Sequence, residues 1–102
     1  MKELLRTSKY CLVLRGKVDG ISDDTIIETK NRRNHLFMEL RDYEKVQLES
    51  YMYLTGLQKS ILTEHYDNTM NEIYYTHNEE FWNLCLDEVM KFMDTYIVPH
   101  IE

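Results

Sequence analysis

Residues 10–31 read YCLVLRGKVDGISDDTIIETKN, and the reading works outward from them. Tyr10–Ile21 is rich in β-branched and aromatic residues and reads as one strand, with Gly16 inside it at a bend or bulge. Ser22-Asp23-Asp24-Thr25 has turn chemistry, because short polar side chains bond their own backbone. TIIETKN (25–31) is a second strand, so the two form a hairpin. With Asp23-Asp24 as a two-residue loop, Ser22 faces Thr25, and the same count sets Asp19 opposite Glu28. Alternation places Ile26, Glu28 and Lys30 on one strand face. Opposed residues have Cβ atoms about 5 Å apart, so two carboxylates there repel each other. A hard divalent cation removes that cost, and oxygen donors suit Mg²⁺. A longer loop or a bulge at Gly20 shifts the register, and the alternative is then an ordinary solvated strand face.

Beyond the hairpin, RRNHLFMELR (32–41) reads as a basic loop with an apolar patch or as the lead-in to a helix. Asp42–Leu57 is helical. Asp42 caps it, Tyr43, Val46, Leu54 and Leu57 recur at helical spacing, and Gly56 ends it. KSILTEHY (59–66) is a strand, DNTMN (67–71) a turn and EIYYT (72–76) a strand. Asn78 caps a last helix that runs to Tyr96, with Glu79 and Glu80 favourably placed in its first turn. Phe81, Cys85, Val89, Phe92 and Tyr96 form its expected buried stripe, and Pro99 its stop. The ββαββα order predicts an α+β fold, a small mixed β-sheet flanked by helices, as one domain over residues 1–102.

The 102 residues hold 18 Asp+Glu against 12 Lys+Arg, a net charge of -6. That balance argues against a nonspecific nucleic-acid coat protein. Residues 1–50 nevertheless carry ten Lys/Arg and nine acids, whereas residues 51–102 carry two and nine. A polyanion is therefore expected on the first half. No run approaches the roughly 18 apolar residues of a membrane span, and the N-terminus lacks the pattern of a secretory signal. Cys11 and Cys85 form neither a disulfide framework nor a zinc-type spacing. The expectation is an intracellular protein, cytoplasmic or nuclear, without a membrane partner. The two cysteines read as core thiols. No Gly-rich phosphate loop is present, which argues against a nucleotide-driven motor. His35 sits in the basic loop, where contact with DNA or a metal competes with simple exposure. His65, His77 and His100 show no ligand spacing and read as structural or surface residues.

Gln47 and Tyr51 lie i, i+4 on the first helix and share a face, which half-buried packing explains as simply as chemistry does. Taken together, GKVDG, IETK and QLESY resemble the G-x-x-D, E-x-K and Q-x-x-x-Y motifs of the RecB branch of the PD-(D/E)XK nucleases, which includes phage lambda exonuclease. The likeness spans Leu14–Leu54 in motif order, spacing and element type. The strand and helix that follow are similar to the rest of that restriction-endonuclease-like core. The resemblance implies a metal-dependent deoxyribonuclease, exonuclease or endonuclease, acting in DNA repair, recombination or replication. Asp19 and Glu28 would then ligate Mg²⁺ or Mn²⁺, joined by the backbone carbonyl of Thr29. Lys30 would orient or activate the attacking water and meet charge on the phosphate. Gln47 and Tyr51 would position the helix, a water on the ion or the DNA backbone. Arg15, Lys17, Arg32, Arg33 and Lys45 are candidate phosphate contacts, which position without specifying sequence. The implied partner is DNA, with a homo-oligomer or a larger recombination assembly beside it. The alternative is an inactive nucleic-acid-binding or assembly module of the same fold, against which the intact Asp19, Glu28 and Lys30 weigh. Members of the branch carry more chain before the first strand, so a minimal core, a fragment or a domain that borrows parts from another subunit is expected.

Overall fold

The computed structural model describes residues 1–101. In chain order the elements are β1 (Lys2–Arg6), β2 (Cys11–Leu14), β3 (Gly20–Ser22), β4 (Thr25–Asn31), α1 (Asp42–Thr55), β5 (Lys59–Tyr66), β6 (Thr69–Thr76), α2 (Glu79–Phe92), a π-helical turn (Met93–Ile97) and α3 (Val98–Ile101). The architecture is α+β, with a mixed sheet and two principal helices. The chain divides into two compact units, Gly16–His77 and the segments on either side of it.

The unit Gly16–His77 holds a four-stranded sheet in the order β3-β4-β5-β6. β4 and β5 are parallel, and both outer pairs are antiparallel. Parallel neighbours need a long crossover, and α1 supplies it while packing on both strands. The first hairpin has the register that a two-residue loop dictates: Gly20 faces Ile27, Ile21 faces Ile26, and Ser22 faces Thr25. Asp23 takes the positive φ (55°) of this tight reversal, a conformation that Asp tolerates better than most residues.

Ile26, Leu48, Met52 and Leu62 form the buried centre, with Val18, Leu40, Tyr51, Leu57, Ile73 and Tyr75 packed around it. Each fully buried aliphatic side chain stabilises the fold by roughly 1.5–3 kcal/mol. Alternation puts Ile26 and Glu28 of β4 on the same face, and Ser60, Leu62 and Glu64 of β5 on the same face; all five are buried. The layer beneath α1 therefore mixes apolar side chains with carboxylates.

Several sequence expectations need correction. Tyr10–Ile21 is not one strand: β2 stops at Leu14 and β3 starts at Gly20. β2 pairs with β1 instead, an unanticipated strand whose residues Lys2, Glu3 and Arg6 are exposed. Asp42 is the first residue of α1 and Arg41 occupies the cap position, while Gly56 closes the helix at φ 78°. Tyr43 (63% exposed) and Val46 (39%) face outward; the sheet-facing side carries Glu44, Leu48, Glu49 and Met52. β6 begins at Thr69, so its turn is shorter than expected.

In the other unit, Asn78 Oδ1 accepts from the Phe81 amide at 3.0 Å and caps α2 as expected. Trp82 is its buried residue, whereas Phe92 and Tyr96 are exposed. Pro99 does not stop the helical path, which continues through the π-helical turn into α3. Pro99 has no N–H to donate to the turn before it, and that turn is π-helical rather than regular α-helix. Among the described residues no helix is long and apolar enough to cross a membrane.

Candidate functional site

The register of the first hairpin carries one step beyond its ladder and brings Asp19 beside Glu28. Asp19 Oδ2 accepts from the Thr29 amide at 3.0 Å, which fixes the carboxylate over β4. Glu28 is 4% exposed, and its Oε2 is buried with no hydrogen-bond partner. Burial pushes the Glu28 carboxyl from 4.5 up to about 7, and the adjacent Asp19 adds to the shift through a hydrogen bond and like charge. Asp19 moves the other way. A hydrogen bond from Glu28 lowers its carboxyl, assisted by the Thr29 amide. The pair therefore shares a proton near neutrality, with Glu28 as its principal holder.

Lys30 stands two residues beyond Glu28 on the same face of β4, and its positive charge lowers both carboxyls. Asp19, Glu28 and Lys30 thus come together as their spacing implied. Gln47 Nε2 donates to Tyr51 Oη at 3.0 Å, one helical turn apart. Tyr51 also packs on the core. A Cβ on Gly16 would lie 3.3 Å from Tyr51 Cε1 and from Leu54 Cδ1, so the chain leading to Asp19 passes close against α1.

The donor set suits a hard cation that retains water: two carboxylates of one hairpin, one of them with its buried Oε2 orphaned, and the Thr29 carbonyl. Among the described residues no group of three or more His, Cys, Asp or Glu converges. The remaining coordination positions would be water, as Mg²⁺ prefers.

The five basic candidates divide. Arg33 and Lys17 are exposed and Lys45 is half-buried. Arg15 is exposed and belongs to the other unit. Arg32 is not a phosphate contact. Its side chain is 7% exposed and its guanidinium bonds Glu44 and Glu64, so burial and two carboxylates already occupy it. The sequence reading also missed the buried carboxylates Glu44, Glu64 and Glu49; Glu49 accepts from Tyr75 Oη at 2.6 Å and contacts His77 Nδ1 at 2.6 Å. A groove lined by Lys59, Ile61, Tyr74 and Thr76 shares no residue with the candidate site.

No protein-family model matches the chain, and no curated protein matches it. A solved structure described as the crystal structure of SSO0001 is similar to it, at 24% identity over 66% of this chain and with a TM-score of 0.49. The chain spans 34% of that protein's chain.

Proposed function

We propose that the chain is a metal-dependent deoxyribonuclease core of the RecB and lambda-exonuclease type, hydrolysing DNA phosphodiester bonds. The observation that carries this reading is the Asp19–Glu28 pair, with a buried carboxylate oxygen that no protein group satisfies. Two carboxylates held this close, one of them buried, destabilise the fold, and a divalent ion would reverse that cost. Asp19, Glu28 and the Thr29 carbonyl would hold Mg²⁺ or Mn²⁺. When bound, such an ion polarises a phosphoryl oxygen and lowers the pKa of water at its surface.

The chain's own residues do the rest. Lys30 places a positive charge beside the pair, where negative charge develops on a phosphate under attack. The Thr29 amide keeps Asp19 oriented. Gln47 holds the Tyr51 hydroxyl, and the close approach of Gly16 holds its ring. Lys17, Arg33 and Lys45 would neutralise phosphates of the DNA strand. Function inside a cell, in recombination or repair and within a homo-oligomer or larger assembly, belongs to the same proposal.

The test is cleavage of labelled linear and covalently closed circular DNA with Mg²⁺, Mn²⁺ or EDTA, comparing the wild type with Lys30→Ala. Metal-dependent cutting that the variant loses supports the reading. Cutting of circles marks an endonuclease, and cutting of linear DNA alone marks an exonuclease. An inert chain that still binds Mn²⁺ at Asp19 and Glu28 would be a binding module or an incomplete core. A chain with neither cutting nor metal binding ends the nuclease reading.

A further inference from the structure

A second buried polar cluster surrounds Arg32. Its amide donates to the His65 carbonyl at 2.7 Å, one step past the β4–β5 ladder. Its Nη1 donates to Glu44 Oε2 at 2.8 Å. Its Nη2 and Nε donate to Glu64 Oε2 at 2.9 and 3.2 Å. The other oxygen of each carboxylate accepts a backbone amide of the loop 32–41. Glu44 Oε1 takes the Arg41 amide at 3.0 Å, and Glu64 Oε1 takes the Met38 amide at 2.8 Å. Phe37 completes the cluster, with the Arg32 guanidinium carbon 3.8 Å and the Arg41 guanidinium carbon 4.4 Å from its ring centroid.

The start, middle and end of one loop are thereby fastened through Arg32 to β5 and to the first turn of α1. Surface loops lacking such ties are ordinarily mobile. Charge-assisted hydrogen bonds are about twice as strong as neutral ones. A buried ion cluster adds little net stability over apolar packing, so what it achieves is placement. The placement matters here because Glu64 is the parallel-register neighbour of Lys30. The fastened loop therefore starts beside the candidate site, and it presents Arg33, His35 and Arg41 outward.

We infer that Arg32 is a positioning residue for the phosphodiester site: it fixes loop 32–41 as a rigid wall that carries Arg33 and Arg41 to the phosphates of bound DNA. The inference rests on the nuclease reading. A pre-ordered wall spares the ordering cost that a mobile basic loop meets on binding. Arg32 contributes no phosphate contact of its own, and Lys cannot replace its planar fork.

Arg32→Ala strands two buried carboxylates, so two gentler variants make the test. Arg32→Lys keeps the charge and loses the fork. Arg32→Met combined with Glu44→Gln and Glu64→Gln removes the charges together. Hydrogen exchange is measured without DNA, binding of a labelled oligonucleotide in EDTA across a KCl series, and cleavage with Mg²⁺ or Mn²⁺. The Met38 and Arg41 amides should exchange at least tenfold faster in both variants while the melting transition stays cooperative. DNA affinity should fall about tenfold in the triple variant with the salt slope unchanged. Arg33→Ala and Arg41→Ala should each lower that slope by about one. Retained loop protection overturns the inference, as does a slope loss of one in the triple variant. A wild type that cuts DNA, with variants that bind and cut equally well, overturns the inference alone. A wild type that neither binds nor cuts overturns the nuclease reading and the inference with it.

Discussion

Glu28→Gln should change the pH dependence of folding in a defined window. In the folded chain burial, reinforced by Asp19, holds the Glu28 carboxyl at about 7 against an ordinary 4.5. Between those values the folded state keeps a proton that the unfolded chain has released. Stability is therefore fully present below pH 4.5 and is lost as pH rises through 7. At about 1.4 kcal/mol per pH unit over that interval, the loss from Glu28 is at most about 3.5 kcal/mol. Asp19 acts in the opposite sense, but its carboxyl lies below 3.8, so its effect falls at more acidic pH. Gln carries no such proton. The variant should match the wild type near pH 4.5 and exceed it by up to about 3.5 kcal/mol at pH 8. Urea unfolding at pH 4.5, 6 and 8 measures this. With a slope near 2 kcal/mol/M the midpoints should diverge by up to about 1.7 M at pH 8. The quantity read is the difference between the two proteins, in which every group they share cancels. Parallel curves for wild type and Glu28→Gln would refute a shared, proton-holding pair. A divalent ion needs both carboxylates ionised, so Mn²⁺ should restore the wild type above pH 7 and leave the variant unmoved.

Three other perturbations test the framework. A divalent ion at a hundred times its dissociation constant should stabilise the wild type by about 2.7 kcal/mol, raising the melting temperature by roughly 10–20 °C; Asp19→Ala should abolish that rise in a thermal-shift titration. Gly16→Ala adds a methyl 3.3 Å from Tyr51 and Leu54, so it should cost about 1 kcal/mol in urea and change the tyrosine near-ultraviolet dichroism, whereas an unchanged spectrum would show that the ring is not held there. Gly56→Ala meets no neighbour within 4 Å but sits at φ 78°, so it should cost about 1–2 kcal/mol through backbone strain alone, read as an earlier urea midpoint with an unchanged slope.

The hairpin was legible because two local rules suffice for it. A two-residue loop sets the register, and alternation sets the faces, so Asp19, Glu28 and Lys30 could be placed without knowledge of the rest of the chain. β5 was legible for similar reasons. The inner face of α1 was not. Periodicity assigns apolar residues inward, and it chose Tyr43 and Val46, whereas the structure buries Glu44 and Glu49. Those burials depend on Arg32 and on Tyr75 with His77, partners remote in sequence, and no local pattern encodes them. The same gap separates Arg32 from Arg33. Adjacent arginines in a polar loop look alike, and only the distant Glu64 and Glu44 draw one of them inside. β1 was missed because exposed Lys2, Glu3 and Arg6 leave little more than Leu4-Leu5 as an apolar signal.

Glu28 stands apart from the other glutamates buried in the sheet–helix layer. Burying a carboxylate is costly unless each oxygen finds a donor or a cation. Glu44 meets that condition with Arg32 and the Arg41 amide, and Glu64 with Arg32 and the Met38 amide. Glu49 meets it with Tyr75 and His77. All six oxygens of these three side chains have protein partners, and each side chain reaches at least one residue outside its own element, as expected of groups that hold the fold together. Glu28 has a like-charged neighbour on one side and an orphaned oxygen on the other. If its role were structural, Gln or Leu would serve better, and the Glu28→Gln comparison at pH 8 measures by how much. Among the described residues, the fold satisfies three buried glutamates and leaves the fourth dissatisfied beside a lysine. That contrast singles out the carboxylate with an unsatisfied oxygen, and under the proposed nuclease reading a divalent cation between Asp19 and Glu28 would supply the missing partner.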